Sequence, residues 1–215
     1  MGLAGVILAA GESTRMGRDK ALLPLGSPHP LKDAREGGVS SLALPGTFLS
    51  AAIHALSQHC EMVIVVAGNN EQALRSVVYS GGASIVRNLT PEQGQFSSLQ
   101  AGLREVLSRG RDSAMVTLVD RPPPKSETLN NLVNVFSGRE RGVWAVVPEY
   151  QGKHGHPILI GREMMEAFLR APASANGREI EHANQEKIAY VPVADPLVTL
   201  NIDTPEDYAS LESRL

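Results

Sequence analysis

The sequence predicts an α/β protein in three layers, with helices on both faces of a mostly parallel sheet. Three observations carry that prediction. Short runs rich in Val and Ile alternate with longer stretches of helical periodicity, the pattern of repeated βαβ units. Hydrophobic residues make up 42% of the chain and charged residues 20%, which suits a folded core and excludes both disorder and a fibrous repeat. A length of 215 residues suits one continuous domain, 1–215.

The elements follow in order. Apolar, β-branched runs give strands at Leu3 to Ala9, Glu61 to Ala67, Ala83 to Arg87, Ser113 to Val119 and Gly142 to Val147, with further strands at Lys187 to Val193 and Val198 to Ile202. Helical periodicity places helices between them, at Phe48 to His59, Glu71 to Ser80, Ser97 to Ser108, Lys125 to Ser137 and Arg162 to Arg170. A last helix starts at Thr204-Pro205-Glu206-Asp207, where Thr caps, Pro fits the first turn and the acids complement the helix dipole. Residues 27–45 hold three prolines and two adjacent glycines without a sustained period, and read as a long, mobile surface loop or lid. Residues 150–184 break the strand-helix rhythm and read as a subdomain over one end of the sheet.

Composition narrows the function. Lys plus Arg number 20 against 23 Asp plus Glu, a net charge of −3, and aromatics are only 4%. A nucleic-acid surface wants basic charge and stacking rings, so nucleic acid is not an expected partner. The single Cys60 has no internal disulfide partner and sits in an apolar run, which reads as core. The N-terminal segment lacks a basic start, and no stretch reaches the roughly 18 apolar residues of a membrane span, so a cytoplasmic protein without a membrane partner is expected.

Ligands of open α/β sheets sit at the carboxyl ends of the strands. The first strand runs into Ala9-Ala10-Gly11-Glu12-Ser13-Thr14-Arg15-Met16-Gly17-Arg18-Asp19-Lys20. Small residues and two glycines let the backbone approach a ligand, and successive N–H groups form an anion nest. Arg15 offers a bidentate fork and Lys20 a mobile point charge, together enough to neutralise a triphosphate. A solvated glycine-rich turn accounts for the composition equally well. The spacing is neither a Walker A loop nor a dinucleotide fingerprint.

Two acids occupy comparable positions. Asp120 follows Ala114 to Val119, and Asp203 follows Leu200-Asn201-Ile202. Magnesium takes one or two protein carboxylates together with phosphate oxygens and water, which two strand-end acids can supply. A turn acid at Asp120 and a helix cap at Asp203 are the plainer alternatives. Gly94 precedes a helix carrying Ser97 and Ser98, with Asn88 upstream. Helix capping explains these serines nearly as well as contact with a base or ribose. His154 and His156 lack a third zinc ligand in sequence, and no serine elbow or paired Cys supports a covalent mechanism.

The run Val6 to Gly17, then Lys20 and Leu22-Leu23-Pro24-Leu25, resembles the signature loop of the MobA-like nucleotidyltransferases. The likeness continues through Asn88, Gly94, Ser97 to Leu103, Asp120-Arg121-Pro122, Gly155-His156-Pro157 and Asp203 to Asp207. It implies a Rossmann-like sheet of the nucleotide-diphospho transferase type, with Mg²⁺ on Asp120 and Asp203. It also implies Arg15, Lys20 and Asp120 as catalytic residues, and Leu8, Ala9, Ala10, Gly11, Asn88, Gly94, Ser97 and Ser98 around the nucleotide. His156 is implied at the acceptor, within the 150–184 segment.

Guanylyl-transferring members usually carry two glycines after Leu-Ala. Ala9-Ala10-Gly11 resembles the cytidylyl branch, which implies CTP as donor, a molybdopterin phosphate as acceptor and a molybdoenzyme as downstream partner. GTP-using, sugar-phosphate and isoprenoid-precursor transferases, and a non-catalytic cofactor carrier, are the alternatives. Arg121 stands where relatives often carry Gln, Met or His, and Asn201 replaces an acid common two positions before Asp203.

Overall fold

The computed structural model describes residues 2–11, 16–25, 46–172 and 174–211. Arg15 and the 27–45 loop lie outside the described residues. The described strands are β1 (Leu3–Leu8), β2 (Met62–Ala67), β3 (Ser84–Arg87), β4 (Ser113–Leu118), β5 (Ala145–Tyr150), β6 (Lys153–His154), β7 (Ile158–Gly161) and β8 (Ile188–Pro192). The described helices are α1 (Phe48–Ser57), α2 (Glu71–Ser80), α3 (Gln95–Ser108), α4 (Ser126–Ser137), α5 (Arg162–Arg170), α6 (Gly177–Ala183) and α7 (Pro205–Leu211).

All the strands join one sheet in the order β3-β2-β1-β4-β7-β5-β6, with β8 paired to β5. β1 pairs in parallel with β2 and β4, β2 with β3, and β5 with β8. β7 runs antiparallel to both β4 and β5, and β6 antiparallel to β5.

The layers follow from the period of two along each strand. Leu3 and Ile7 of β1, with Val63 and Val65 of β2, pack into one core with α1, α2 and α4. Ala4, Val6 and Leu8, with Ile64 and Val66, pack into the other with α3 and α5. With both faces covered, the central strands read as unbroken apolar runs rather than alternating ones. Gly102 lets α3 lie directly on the sheet, because a Cβ there would stand 2.8 Å from Val6 Cγ1 and 2.9 Å from Val66 Cγ2.

A third, smaller cluster joins Leu23, Phe48, Ile202 and Leu211, with Tyr208 packed against it. The Tyr208 hydroxyl donates to the Pro24 carbonyl at 2.8 Å, fastening α7 to the segment that follows Lys20.

Three sequence expectations differ from the structure. Val198 to Ile202 is not a strand. Pro196 opens a 3-10 turn over Pro196–Thr199, capped by Asp195, whose buried carboxylate accepts from Leu197 N at 3.0 Å and from Lys125 N at 2.8 Å. The strand expected from Gly142 begins at Ala145, because Gly142 takes φ 102° in a turn. Residues 150–184, expected over one end of the sheet, insert Ile158–Gly161 into it between β4 and β5. Four residues are too few to display a period. No helix among the described residues is long and apolar enough to cross a membrane.

Candidate active site

The parallel strands deliver several chain segments to one edge of the sheet. Ala9 N, at the exit of β1, donates to Val66 O at 2.8 Å, and Val119 N, at the exit of β4, donates to Leu8 O at 3.1 Å. The two exits therefore run side by side. Gly68 lets the chain leaving β2 approach Ala10, since a Cβ there would stand 2.9 Å from the Ala10 carbonyl.

Asn70 then ties three segments together. Its Oδ1 accepts from Gly68 N at 3.1 Å, and its Nδ2 donates to Ala9 O at 2.9 Å and to Asp19 Oδ2 at 2.7 Å. Asp19 caps the 3-10 turn Lys20–Leu22 by accepting from Ala21 N at 3.0 Å. Asn70 thus fixes the turn that aims Lys20.

Lys20, Asp120 and Asp203 converge from positions far apart in sequence. Lys20 Nζ donates to Asp203 Oδ1 at 2.7 Å and lies 3.4 Å from Asp120 Oδ2. The backbone joins the two acid-bearing segments directly, with Ile202 N donating to Asp120 O at 3.0 Å. Asp203 does not cap α7. Thr204 Oγ1 accepts from Asp207 N at 3.1 Å, and Asp207 Oδ2 accepts from Thr204 N at 2.9 Å and Asp203 N at 3.0 Å, a reciprocal capping box. The Asp203 carboxylate is left for Lys20 and for the side-chain amide of Asn201, whose Nδ2 donates to its Oδ2.

The oxygens around this cluster suit a hard cation. Asp120 Oδ1 and Asn201 Oδ1 are both buried without a hydrogen-bond partner. A buried, unpartnered oxygen costs about 1–3 kcal/mol unless something satisfies it, and a divalent ion would. Asp120 and Asp203 would hold such an ion together with phosphate oxygens and water, and Asn201 adds an oxygen donor beside them.

A cavity of about 510 Å³ opens beside the cluster, lined by Leu8, Ala10, Gly11, Lys20, Gly94, Ser98 and Asp120 among others. Gly94 adopts φ 92° at the head of α3, a conformation that disfavours any other residue, and a Cβ there would meet nothing within 4 Å. The expected site residues Asn88 and Ser97 do not line this cavity. Both are buried, and Asn88 Nδ2 donates to Ser97 Oγ at 2.8 Å and Ser98 Oγ at 2.9 Å while Asn88 Oδ1 accepts from Thr90 N at 3.0 Å. Their polar groups are spent on the bend between β3 and α3 that presents Gly94 and Ser98. Ala9 is likewise buried.

A second cavity of about 320 Å³ adjoins the first and shares Leu8, Gly94, Gln95 and Leu118 with it. Its wall combines Phe96, Leu99, Val116 and Ile158 with Arg121, His156, Arg178 and Glu181. His156 is held by its neighbours' backbone. His156 N donates to Val198 O at 2.8 Å, and ring Nδ1 lies 3.5 Å from Val116 O. A carbonyl only accepts, so this contact is a hydrogen bond in the tautomer that carries the proton on Nδ1. Burial, reinforced by the Arg121 and Arg178 charges, lowers the His156 pKa to about 3. Burial also pushes the Glu181 carboxyl up, opposed by Arg178.

Sequence reasoning missed Asn70 and Glu181 as parts of this edge. For Asn70 a signal existed, a Gly-Asn-Asn run at a strand exit; for Glu181 there was none, because a seven-residue helix leaves little periodicity.

Residues 5–188 match the family model described as "MobA-like NTP transferase domain". The chain is 35% identical over 213 residues, 98% of its length and 95% of the relative's, to a probable molybdenum cofactor guanylyltransferase of Mycobacterium avium (strain 104). It is 26% identical over 214 residues, 97% of its length and 95% of the relative's, to the molybdenum cofactor cytidylyltransferase of Escherichia coli (strain K12). Among solved structures, Rv0371c of Mycobacterium tuberculosis H37Rv shares the fold with a TM-score of 0.76 at 23% identity over 100% of both chains. Its complex with manganese gives a TM-score of 0.72 at the same identity and coverage.

Proposed function

The chain belongs to the MobA-like NTP transferase family, and on that premise we propose that it moves a cytidylyl group from CTP to the phosphate of molybdopterin, releasing pyrophosphate. The observation that carries this reading is the convergence of Lys20, Asp120 and Asp203 beside a cavity that Lys20, Asp120 and the β1 exit line. In the reaction, an acceptor phosphate oxygen attacks the α-phosphorus, and the bond between the α-phosphorus and the bridging oxygen to the β-phosphate breaks. Such chemistry asks a protein chiefly for alignment and charge neutralisation.

The chain's residues supply both. The β1 exit and the α3 head, Leu8, Ala10, Gly11, Gly94 and Ser98, hold base and ribose. Lys20 leaves the carboxylates to meet the triphosphate and then the departing pyrophosphate, and Arg15 is assigned the same task from its place in the sequence. Asp120 and Asp203, with Asn201 beside them, would hold Mg²⁺. Such an ion would supply positive charge to offset that of the phosphates. His156, neutral and rigid, faces the acceptor. Residues 150–184 are the acceptor side of the single 1–215 domain, since they bring His156, Arg178 and Glu181 to the second cavity. The reading is of a cytoplasmic enzyme that passes its product to a molybdoenzyme.

Ala10 favours CTP, because its methyl group lines the first cavity where guanylyl-transferring relatives usually have glycine. A second reading, GTP as donor, is favoured by the 35% identity to a probable guanylyltransferase. Thermal unfolding with CTP, GTP, ATP or UTP, with and without Mg²⁺, separates the two. A ligand at 100 times its Kd adds about 2.7 kcal/mol. A magnesium-dependent shift with CTP alone, lost in Lys20→Ala, is expected. A shift with GTP alone replaces the donor, and no shift with any triphosphate overturns the reading.

A further inference from the structure

The second cavity holds a cation that the fold leaves underserved. Arg121 follows Asp120 at the exit of β4, yet the two face different spaces, with Asp120 lining the first cavity and Arg121 the second. The Arg121 Nε is buried without a hydrogen-bond partner, and its Nη1 makes one long bond, 3.3 Å, to Val198 O. A guanidinium carries five donors and stays charged in proteins. Leaving one half-buried with this little to bind is costly unless a ligand completes it.

Arg178 lines the same cavity and places a second positive charge within electrostatic range of the first, while the Asp120 and Asp203 carboxylates act on Arg121 from the adjoining site. Neither arginine makes an ion pair with a described residue. The neighbouring His156 ring, held uncharged by its surroundings, leaves these two as the cavity's positive charges. Glu181 offsets Arg178 in part, and Arg121 keeps a buried donor without a partner, which favours an anion beside it. A guanidinium fork matches the geometry of phosphate oxygens.

We infer that Arg121 and Arg178 form a two-arginine receptor for a phosphate monoester dianion in the second cavity, and so decide which acceptors the transferase takes. The inference rests on the transferase reading for the identity of the cavity as the acceptor's. The two cavities share Leu8, Gly94, Gln95 and Leu118, so an anion gripped by Arg121 is held in the space that adjoins Asp120. The apolar wall of Phe96, Leu99 and Ile158 suits a flat ring attached to that phosphate.

Phenyl phosphate is the probe, with benzoate and phenol as its carboxylate and neutral counterparts. Binding is read by calorimetry, and the Arg121 Nε–H resonance by NMR. We expect phenyl phosphate to bind and to shift that resonance, benzoate to bind at least tenfold more weakly, and phenol not to bind. Arg121→Gln is expected to weaken phenyl phosphate at least tenfold, the effect of losing a charge-assisted hydrogen bond. Arg178→Gln, being solvent-exposed, is expected to weaken it about threefold to fivefold, and Lys20→Ala less than twofold. Arg121→Met, which keeps the side chain's length against an apolar wall, replaces the Gln variant if that one unfolds.

Phenyl phosphate affinity unchanged in both Arg121 variants, or abolished by Lys20→Ala, overturns the inference, the second by placing the anion in the first cavity. The triphosphate shifts are measured on the same samples. If no triphosphate stabilises the wild type while phenyl phosphate still depends on Arg121, the transferase reading fails and the receptor stands.

Discussion

The two adjoining cavities share a wall but hold charge in opposite ways. The first pairs its cation internally, with Lys20 between two carboxylates and its side chain only 12% exposed. The second leaves Arg121 short of partners beside a neutral His156 and an exposed Arg178. An internally paired cation keeps its geometry before substrate arrives and must exchange partners when it does. An unbalanced site gains its partner with the substrate. Preorganisation therefore belongs to the first cavity and discrimination to the second.

The largest effects should come from unbalancing the first cavity. Asp120→Ala and Lys20→Ala are each expected to lower turnover at least about 100-fold, as loss of one preorganised electrostatic group does elsewhere. Steady-state assays with pyrophosphate detection measure this, and near-normal rates in both variants would erase the contrast. Next is the backbone beside His156, which lines the second cavity. A Cβ at Gly155 would stand 2.4 Å from Val198 O, so Gly155→Ala should cost about 3 kcal/mol by overpacking and raise the acceptor KM more than the triphosphate KM. Equal changes in both constants would deny the second cavity its separate role.

A smaller effect tests the neutral ring. The folded pKa of His156, lowered to about 3, lies below an unfolded value near 6.5. Between those values the unfolded chain binds the extra proton, so the stability contributed by the neutral ring is full above about pH 6.5 and falls as pH drops toward 3. The expected loss from pH 7 to pH 5 is about 2 kcal/mol, seen by urea unfolding, and His156→Gln should remove it. The smallest effect belongs to Asp203, whose side chain is 40% exposed against 25% for Asp120. Asp203→Asn should lower turnover only about tenfold, chiefly by weakening metal affinity. An effect equal to that of Asp120→Ala would make the acids equivalent.

What the sequence disclosed divides along the same line. The first cavity is built at exits of long parallel strands, where an apolar run stops at small or acidic residues, and Ala10, Gly11 and Asp120 announce themselves that way. Asp203 was legible as an acid, but its freedom from capping was not, because Thr204 and Asp207 satisfy the helix start only in three dimensions. Asn88 and Ser97 carry polar groups in the expected place, yet burial turns those groups inward. The second cavity depends on β7, four residues inserted against the prevailing strand direction, and on α6, seven residues long. Neither is long enough to show a period. Arg121 was visible only as a departure from relatives, and its meaning depends on Arg178, 57 positions away in the numbering.

The bond between Lys20 and Asp203 spans 183 positions of the chain. During synthesis at about 5–20 residues per second, Asp203 leaves the ribosome on the order of ten to forty seconds after Lys20. All the described strands are already made by then, and the loop bearing Lys20 must wait for its second counter-charge and for the Tyr208 clasp on Pro24. The centre is thus complete only once a segment 183 positions downstream of Lys20 has been made. A nascent chain halted before Ile202 would carry every described strand and no assembled centre, so the sheet can be finished before the chemistry it supports.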